Sequence, residues 1–320
     1  VIAQVNEIVE DLPRVDIPGG WVDFIVPADK PYPMEPLFTR DPQFIKDADI
    51  LMGMMVIKGI YAKHGVQSLN HGIGFNGAAI ELLLPTYGEQ LGLKGKICRN
   101  WVLNPHPTLI PAIEAGWVES ICAFGGEVGM EKYTEERSDI FFTGADGTLR
   151  SNRTLAQVAG LYAIDSFLGA TLQMDYYGNS STVTAGRLSG FGGAPNMGPG
   201  GRRHSSPAYH SLVEGKDTLH GGQKIVIQML KSSGKKGNNF VPELDAIAIG
   251  RDAGMEAPPI MVYGEDVSHT VTEQGIAYCY MAEDAEERKL MLASIAQGTP
   301  FGEMVTKEQI EAFRKAGKVD

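Results

Sequence analysis

The stretch Asn70–Glu81, NHGIGFNGAAIE, constrains the fold more than any other part of the chain. Val66, Ser68 and Leu69 lead into it with extended character. Gly72, Gly74 and Gly77 form a turn, and Ala78–Leu84 is helical in composition. A strand that feeds a helix through glycines is the opening half of a βαβ unit, and such units build parallel sheets. Glycine at these positions lets a ligand approach the backbone, and the helix start aims unpaired N–H groups at negative charge.

The rest of the chain repeats the alternation. Val1–Val9 and Trp21–Val26 read as strands, and Pro27–Pro36 as an extended proline segment. Asp41–Lys63 reads as a helix, Lys96–Leu103 as a strand and Thr108–Ala115 as a helix stopped at Gly116. Ser120–Phe124 is a strand, Leu155–Phe167 a helix, Thr171–Tyr177 a strand and Gly186–Ser206 a glycine-rich loop. Lys224–Leu230, Met261–Tyr263 and Gly275–Tyr280 are strands. Asp284–Ala296 and Lys307–Ala316 close the chain as helices. The expected fold is an α/β open, largely parallel sheet with flanking helices. The chain opens on Val1, inside a strand pattern, so 1–320 reads as a fragment that lacks an upstream domain.

Charge and cysteine usage narrow the function. A net charge of −11 disfavours nucleic acid and anionic membrane surfaces as partners. Three cysteines without a CxxC pair point to a reducing, cytoplasmic setting. No run approaches the ~20 apolar residues of a spanning helix. There is no G-x-S-x-G, no HExxH and no GK[ST], and the histidines show no zinc-ligand spacing, so no metal is expected. Gly72-x-Gly74-x-x-Gly77 matches the dinucleotide fingerprint. The next strand, however, runs out in Asn104, Pro105 and His106, without the acid that would hold a ribose. A nicotinamide site and a purely structural strand–helix turn both remain open at this level.

Several motifs in order resemble the coenzyme A-transferase superfamily: VDFIVPADKPYP, HGIGFNGA, LSGFGGAPNM and TEQGIA. Within it, GFNGAAIELLLPTYG, FFTGADGTLRSNRTLAQVAG and QMDYYGNSSTVTAGRLSGFGGAPNMGPGGRRHSSPAY are similar to the α-subunit family of bacterial malonate decarboxylases. Citrate lyase α subunits are more distant relatives. The resemblance implies an acyl-carrier-protein transferase. It would move the carrier thiol from acetate to malonate, giving malonyl-S-carrier and acetate for other, decarboxylating subunits to use. No tightly bound cofactor is implied. The resemblance also implies that 1–320 is the C-terminal portion of the α subunit, after another α/β domain, and that the thiol belongs to a phosphoribosyl-dephospho-coenzyme A arm of the acyl carrier protein subunit, with coenzyme A as an analogue.

Thioester chemistry needs fixed N–H donors around a tetrahedral oxygen, each worth ~10²–10³ in rate. Gly72–Gly77 and Gly190–Gly193 are the stretches expected to supply them, with Gly74 and Gly192 at the reacting carbonyl. Phe75 and Phe191, at the loop tips, would close an apolar acyl pocket, and Asn76 and Asn196 would position substrate. The superfamily's usual glutamate nucleophile maps near Asn100, where no acid stands between Lys94 and Asn104. That implies direct attack by malonate in a ternary complex, with Asn100 donating a hydrogen bond. Glu81, Glu127 and Glu273 are reserve nucleophiles. The second malonate carboxylate suits a planar guanidinium. Arg202 and Arg203 are the first candidates, with His204 beside them and Arg187 and Arg99 next. Ser180, Ser181 and Thr182 are further donors, and Lys231–Gly237 is the basic patch that would meet an acidic carrier.

Overall fold

The computed structural model describes the chain apart from residues 12–17, 31–34, 124–125, 142–163, 182, 185–186, 189–223, 236, 253 and 256–261. Its centre is a seven-stranded sheet made of β1 (Ser68–His71), β2 (Asn100–Val102), β3 (Ser120–Cys122), β4 (Ser166–Ala170), β5 (Ile225–Met229), β6 (His269–Thr272) and β7 (Gly275–Ala277). The spatial order is β7-β6-β5-β4-β1-β2-β3. All neighbours are parallel except the hairpin β6–β7.

Composition explains which strands lie inside. SLNH in β1, IVIQM in β5 and HTVT in β6 are buried at every residue, as parallel strands covered on both faces must be. One face carries Leu69, Leu168, Ile225, Ile227 and Val271 beneath α1 (Asp47–Val56) and α2 (Phe75–Leu83), which contribute Met52, Val56 and Ile80. Each such side chain, fully buried, stabilises the fold by about 1.5–3 kcal/mol. The other face carries Val102, Phe167 and Val226, with Ile164, Val262 and Val267 packed against them.

The α/β expectation holds, with four differences. Phe167, expected at the end of a helix, lies inside the central strand β4. β6 is a strand where no element was expected, because His269, Thr270 and Thr272 give HTVT no apolar signal although all are buried. The helix expected over 41–63 begins as a short 3₁₀ turn at Pro42–Phe44, restarts at Asp47 and continues through a π-type turn at Ile57–Tyr61. The N-terminal strands shrink to Ile2–Val5 and Phe24–Pro27, a parallel pair that leaves Ile2, Phe24 and Ile25 exposed.

A second core lies beyond the sheet's end. Met174, Phe240 and Phe301 pack there with the helices Ala285–Ser294 and Lys307–Lys315, and Tyr176 stacks on Phe301 at 4.0 Å. Both helices are capped by side chains, Asp284 to the Glu287 N–H and Thr306 to the Gln309 N–H. Among the described residues no helix is long and apolar enough to cross a membrane.

Candidate active site

Chain order across the sheet selects one place for a ligand. From β1 the chain moves outward through β2 to β3, then returns to lay β4 against the other side of β1 and proceeds outward through β5 and β6. The reversal falls between β1 and β4. In open α/β sheets ligands bind outside the carboxyl ends of the strands at such a switch point. The glycine turn Gly72–Gly77 begins at that point, one residue after β1 ends.

The turn is built by close backbone approach. The Gly72 N–H donates to Leu168 O at 2.7 Å, tying the turn to β4. A Cβ on Gly72 would stand 3.2 Å from that carbonyl oxygen, and one on Gly77 would stand 3.3 Å from His71 Cβ. These two glycines therefore serve the packing of strand, turn and helix. The Gly72 N–H is spent internally, which corrects the expectation that it is a bare donor. Gly74 caps α2, its carbonyl accepting from Ala78 N–H at 3.1 Å. The first-turn N–H groups that follow lack intrahelical acceptors, as at any helix start.

Beneath the turn lies a polar network centred on Glu81. Glu81, on the inner face of α2, is completely buried. Its Oε1 accepts from His71 Nδ1 at 3.1 Å and from His106 Nδ1 at 2.9 Å, and Thr108 Oγ1 donates to Oε2. Tyr61 OH donates to His71 Nε2 at 2.9 Å, and the Trp101 ring meets His71 edge-on. That leaves His71 as its Nδ1–H tautomer. Burial pushes the Glu81 carboxyl upward, but the charge and hydrogen bonds of His106, with the bond from His71, outweigh it and hold the group at about 2. Burial pushes His71 down, against the pull of Glu81. One ionised carboxylate thus fixes the end of β1, the helix α2 and the loop after β2 together. A signal for it exists in the sequence: Glu81 is the single charge inside the apolar run Ala78–Leu84.

A cleft of about 490 Å³ opens at this end of the sheet. Asn76 of α2, Thr171 and Gln173 after β4, and Lys231, Lys235 and Asn239 after β5 line it. The glycine-turn helix and the KSSGKKG patch, 155 residues apart in sequence at Asn76 and Lys231, therefore share one depression. Lys231 is held by Asp49 of α1 at 3.3 Å. Lys235 is exposed on the hairpin of Ser233–Gly234 and Gly237–Asn238. Asn76 is buried, and its Oδ1 has no hydrogen-bond partner among the described residues.

Other expected residues fall elsewhere. Asn100 is level with Ser68, at the amino end of its strand and thus at the opposite edge of the sheet from Gly72. Its Oδ1 accepts from Ser120 Oγ at 2.8 Å, so it faces neither the turn nor the cleft. Arg99, beside it, is engaged by Glu119 through two bonds of 2.6 and 2.7 Å. Phe75 packs edge-on against Phe38 at 5.6 Å and lies 6.4 Å from Phe44, so it anchors the N-terminal segment rather than an acyl pocket. Glu127 is bound by Arg40 at 2.5 Å and by the Leu37 N–H at 2.9 Å. Glu273 accepts from the Ser232 N–H at 2.9 Å and from its hydroxyl, fixing the residue next to Lys231. Ser181 Oγ accepts from Val183 N–H at 3.0 Å within its own turn, and Ser180 pairs with Val262. Gly190, Phe191, Gly192, Gly193, Asn196, Arg202, Arg203, His204, Thr182 and the Arg187 side chain lie outside the described residues. No metal-binding cluster of three or more His, Cys, Asp or Glu occurs among the described residues.

Comparison with known proteins adds the remaining observations. A family model described as malonate decarboxylase, alpha subunit, transporter matches residues 1–320. An acetyl-S-ACP:malonate ACP transferase from Malonomonas rubra is 53% identical over 329 residues, covering 100% of this chain and 59% of its own length. The crystal structure of a malonate decarboxylase alpha subunit from Acinetobacter baumannii is 58% identical with a TM-score of 0.84, over 100% of this chain and 60% of that one. A Pseudomonas malonate decarboxylase hetero-tetramer in complex with malonate gives the same identity and TM-score, over 99% and 59%. This chain thus spans about three-fifths of the length of the relatives it matches.

Proposed function

The chain belongs to the malonate decarboxylase alpha-subunit family, and from that premise we propose that it transfers an acyl-carrier thiol from acetate to malonate. The products are malonyl-S-carrier and free acetate, as the first step of malonate decarboxylation in the cytoplasm. The observation that carries the proposal is the glycine turn at the switch point, opening onto a cleft with lysines on its far wall. The first turn of α2 and Asn76 face the reacting carbonyl. Lys231 and Lys235 attract the phosphates of the carrier's phosphoribosyl-dephospho-coenzyme A arm. Arg202 and Arg203 keep their place, on the strength of the resemblance, as partners of the second malonate carboxylate. The partners are the acyl carrier protein and the decarboxylating subunits.

The step balances without an outside reagent. A malonate carboxylate oxygen attacks the acetyl thioester carbonyl, the C–S bond breaks, and the carrier leaves as thiolate. The thiolate then attacks the malonyl carbonyl of the mixed anhydride, and the C–O bond breaks to release acetate. The three glutamates named as reserve nucleophiles are all engaged, Glu81 by two histidines, Glu127 by Arg40 and Glu273 by Ser232. This favours direct attack over a glutamyl thioester.

The test is exchange of labelled acetate into acetyl-S-carrier, with and without malonate, followed by hydroxylamine or borohydride trapping and mass mapping. Exchange with no modified glutamate is the expected result. A trapped acyl glutamate would replace this mechanism with that of an ordinary coenzyme A-transferase, and absence of exchange would leave a scaffold subunit.

A further inference from the structure

The face of the sheet opposite α1 and α2 holds buried polar atoms that no described residue satisfies. Gln228 of β5 is fully buried, and neither its Oε1 nor its Nε2 has a hydrogen-bond partner among the described residues. Asn70 of β1 is 1% exposed; its Nδ2 donates to Val102 O, and its Oδ1 is orphaned.

Register brings these groups to one place. Asn70 pairs with Phe167 and Gln228 with Gly169, on the strand between them. Phe167 and Val226 belong to the same face, so by the alternation of strand side chains Asn70 and Gln228 project from it too. A Cβ at Gly169 would stand 3.0 Å from Gln228 Nε2 and 3.3 Å from the Phe167 ring. The carboxamide therefore lies over Gly169, whose Cα is 3.6 Å from where a Gly72 Cβ would be. Asn70 Oδ1 and both carboxamide atoms of Gln228, none with a hydrogen-bond partner among the described residues, therefore lie by the floor of the glycine turn, at the switch point.

A buried amide left unpaired destabilises a fold, so such a cluster calls for a partner. The inventory says which kind. Asn70 Oδ1 and Gln228 Oε1 accept; Gln228 Nε2 donates. An acceptor-rich set repels a carboxylate and suits a neutral chain bearing N–H groups and a carbonyl, that is, secondary amides. We infer that Gln228, with Asn70, is a specificity-determining residue that reads the secondary amides of the arm on which the thioester rides. This rests on reading the switch point as a thioester site.

The measurement is calorimetric titration of the complete protein with S-acetylpantetheine, which carries two secondary amides, and with amide-free S-acetyl-2-mercaptoethanol. The wild type is expected to prefer the first by about tenfold or more. Gln228→Met should erase that preference while raising the ligand-free melting temperature by about 1–3 °C, since an unpaired amide is replaced by an apolar group of similar shape. Gln228→Leu repeats both readings in a second shape. A lower melting temperature in both variants would assign Gln228 a structural role and overturn the inference. So would an unchanged preference, the result if Gln228 holds only an ordered water, or no preference in the wild type. Acetate–malonate exchange run in parallel separates the two claims: preference without exchange removes the transferase reading alone, and exchange without preference removes the Gln228 assignment alone.

Discussion

His71 Nδ1 and Glu81 Oε1 meet at 3.1 Å across the glycine turn that separates them by ten residues. The contact closes the strand–turn–helix unit from below, and His106 bonds the same oxygen from the next loop. Glu81→Gln removes the charge and leaves two histidines facing a neutral amide. The expected cost is about 3 kcal/mol, within the range for breaking one side of a buried ionic pair. A urea titration followed by far-ultraviolet circular dichroism checks it, and an unchanged midpoint would show that the network does not hold the turn.

Acid sensitivity should come from a second histidine pair. His64 Nε2 and His269 Nε2 are 3.2 Å apart, so both cannot carry protons comfortably. Burial and then Lys63 lower His64 to about 4, and burial, His64 and Lys63 lower His269 well below its usual value. Depressed folded-state values mean that their contribution is complete above about pH 6.5 and is lost as pH falls toward 4. The melting temperature should fall across that window, and His64→Gln should flatten the slope. A wild-type curve flat from pH 6.5 to 4 would contradict this.

Gly72→Ala places a methyl group 3.2 Å from Leu168 O, a backbone atom that cannot rotate away. The strain and the weakened Gly72–Leu168 bond should cost about 1–3 kcal/mol and lower acyl exchange more than the stability loss alone explains. Activity measured well below the melting temperature separates the two effects.

Asn100→Ala and Lys235→Ala should behave oppositely. Asn100 lies at the amino edge of the sheet, bonded to Ser120. Its loss should change stability by no more than about 0.5 kcal/mol and leave acyl exchange within about twofold. Lys235 lines the cleft. Its loss should weaken capture of the acyl carrier at low ionic strength, and the difference should fade as salt rises. A large effect of Asn100→Ala on exchange would return that residue to the site.

What the sequence reveals follows from how local each signal is. The βαβ alternation is legible because apolar periodicity and glycine placement act within a few residues, and the turn at Gly72 is readable for the same reason. Strand β4 is not, because SFLGA continues an apolar pattern that suits a helix equally well. Asn100 is hard to place because its position in a strand says nothing about which end of the strand lies by the glycine turn; the pairing Ser68–Asn100 decides that. The Glu81 network joins residues 61, 71, 81, 106 and 108, and only the packed sheet brings them together.

The hydrogen bond from Gly72 to Leu168 also has a temporal side. It links residues 96 positions apart, and a ribosome adding roughly 5–20 residues each second makes the second partner on the order of five to twenty seconds after the first. During that interval the nascent turn has neither its anchor nor the strand that forms its floor. The geometry of the turn therefore cannot mature piecemeal along the growing polypeptide. It appears only when the late central strand inserts beside the early one, so slow synthesis or a pause between these segments would prolong a state in which the turn is unanchored.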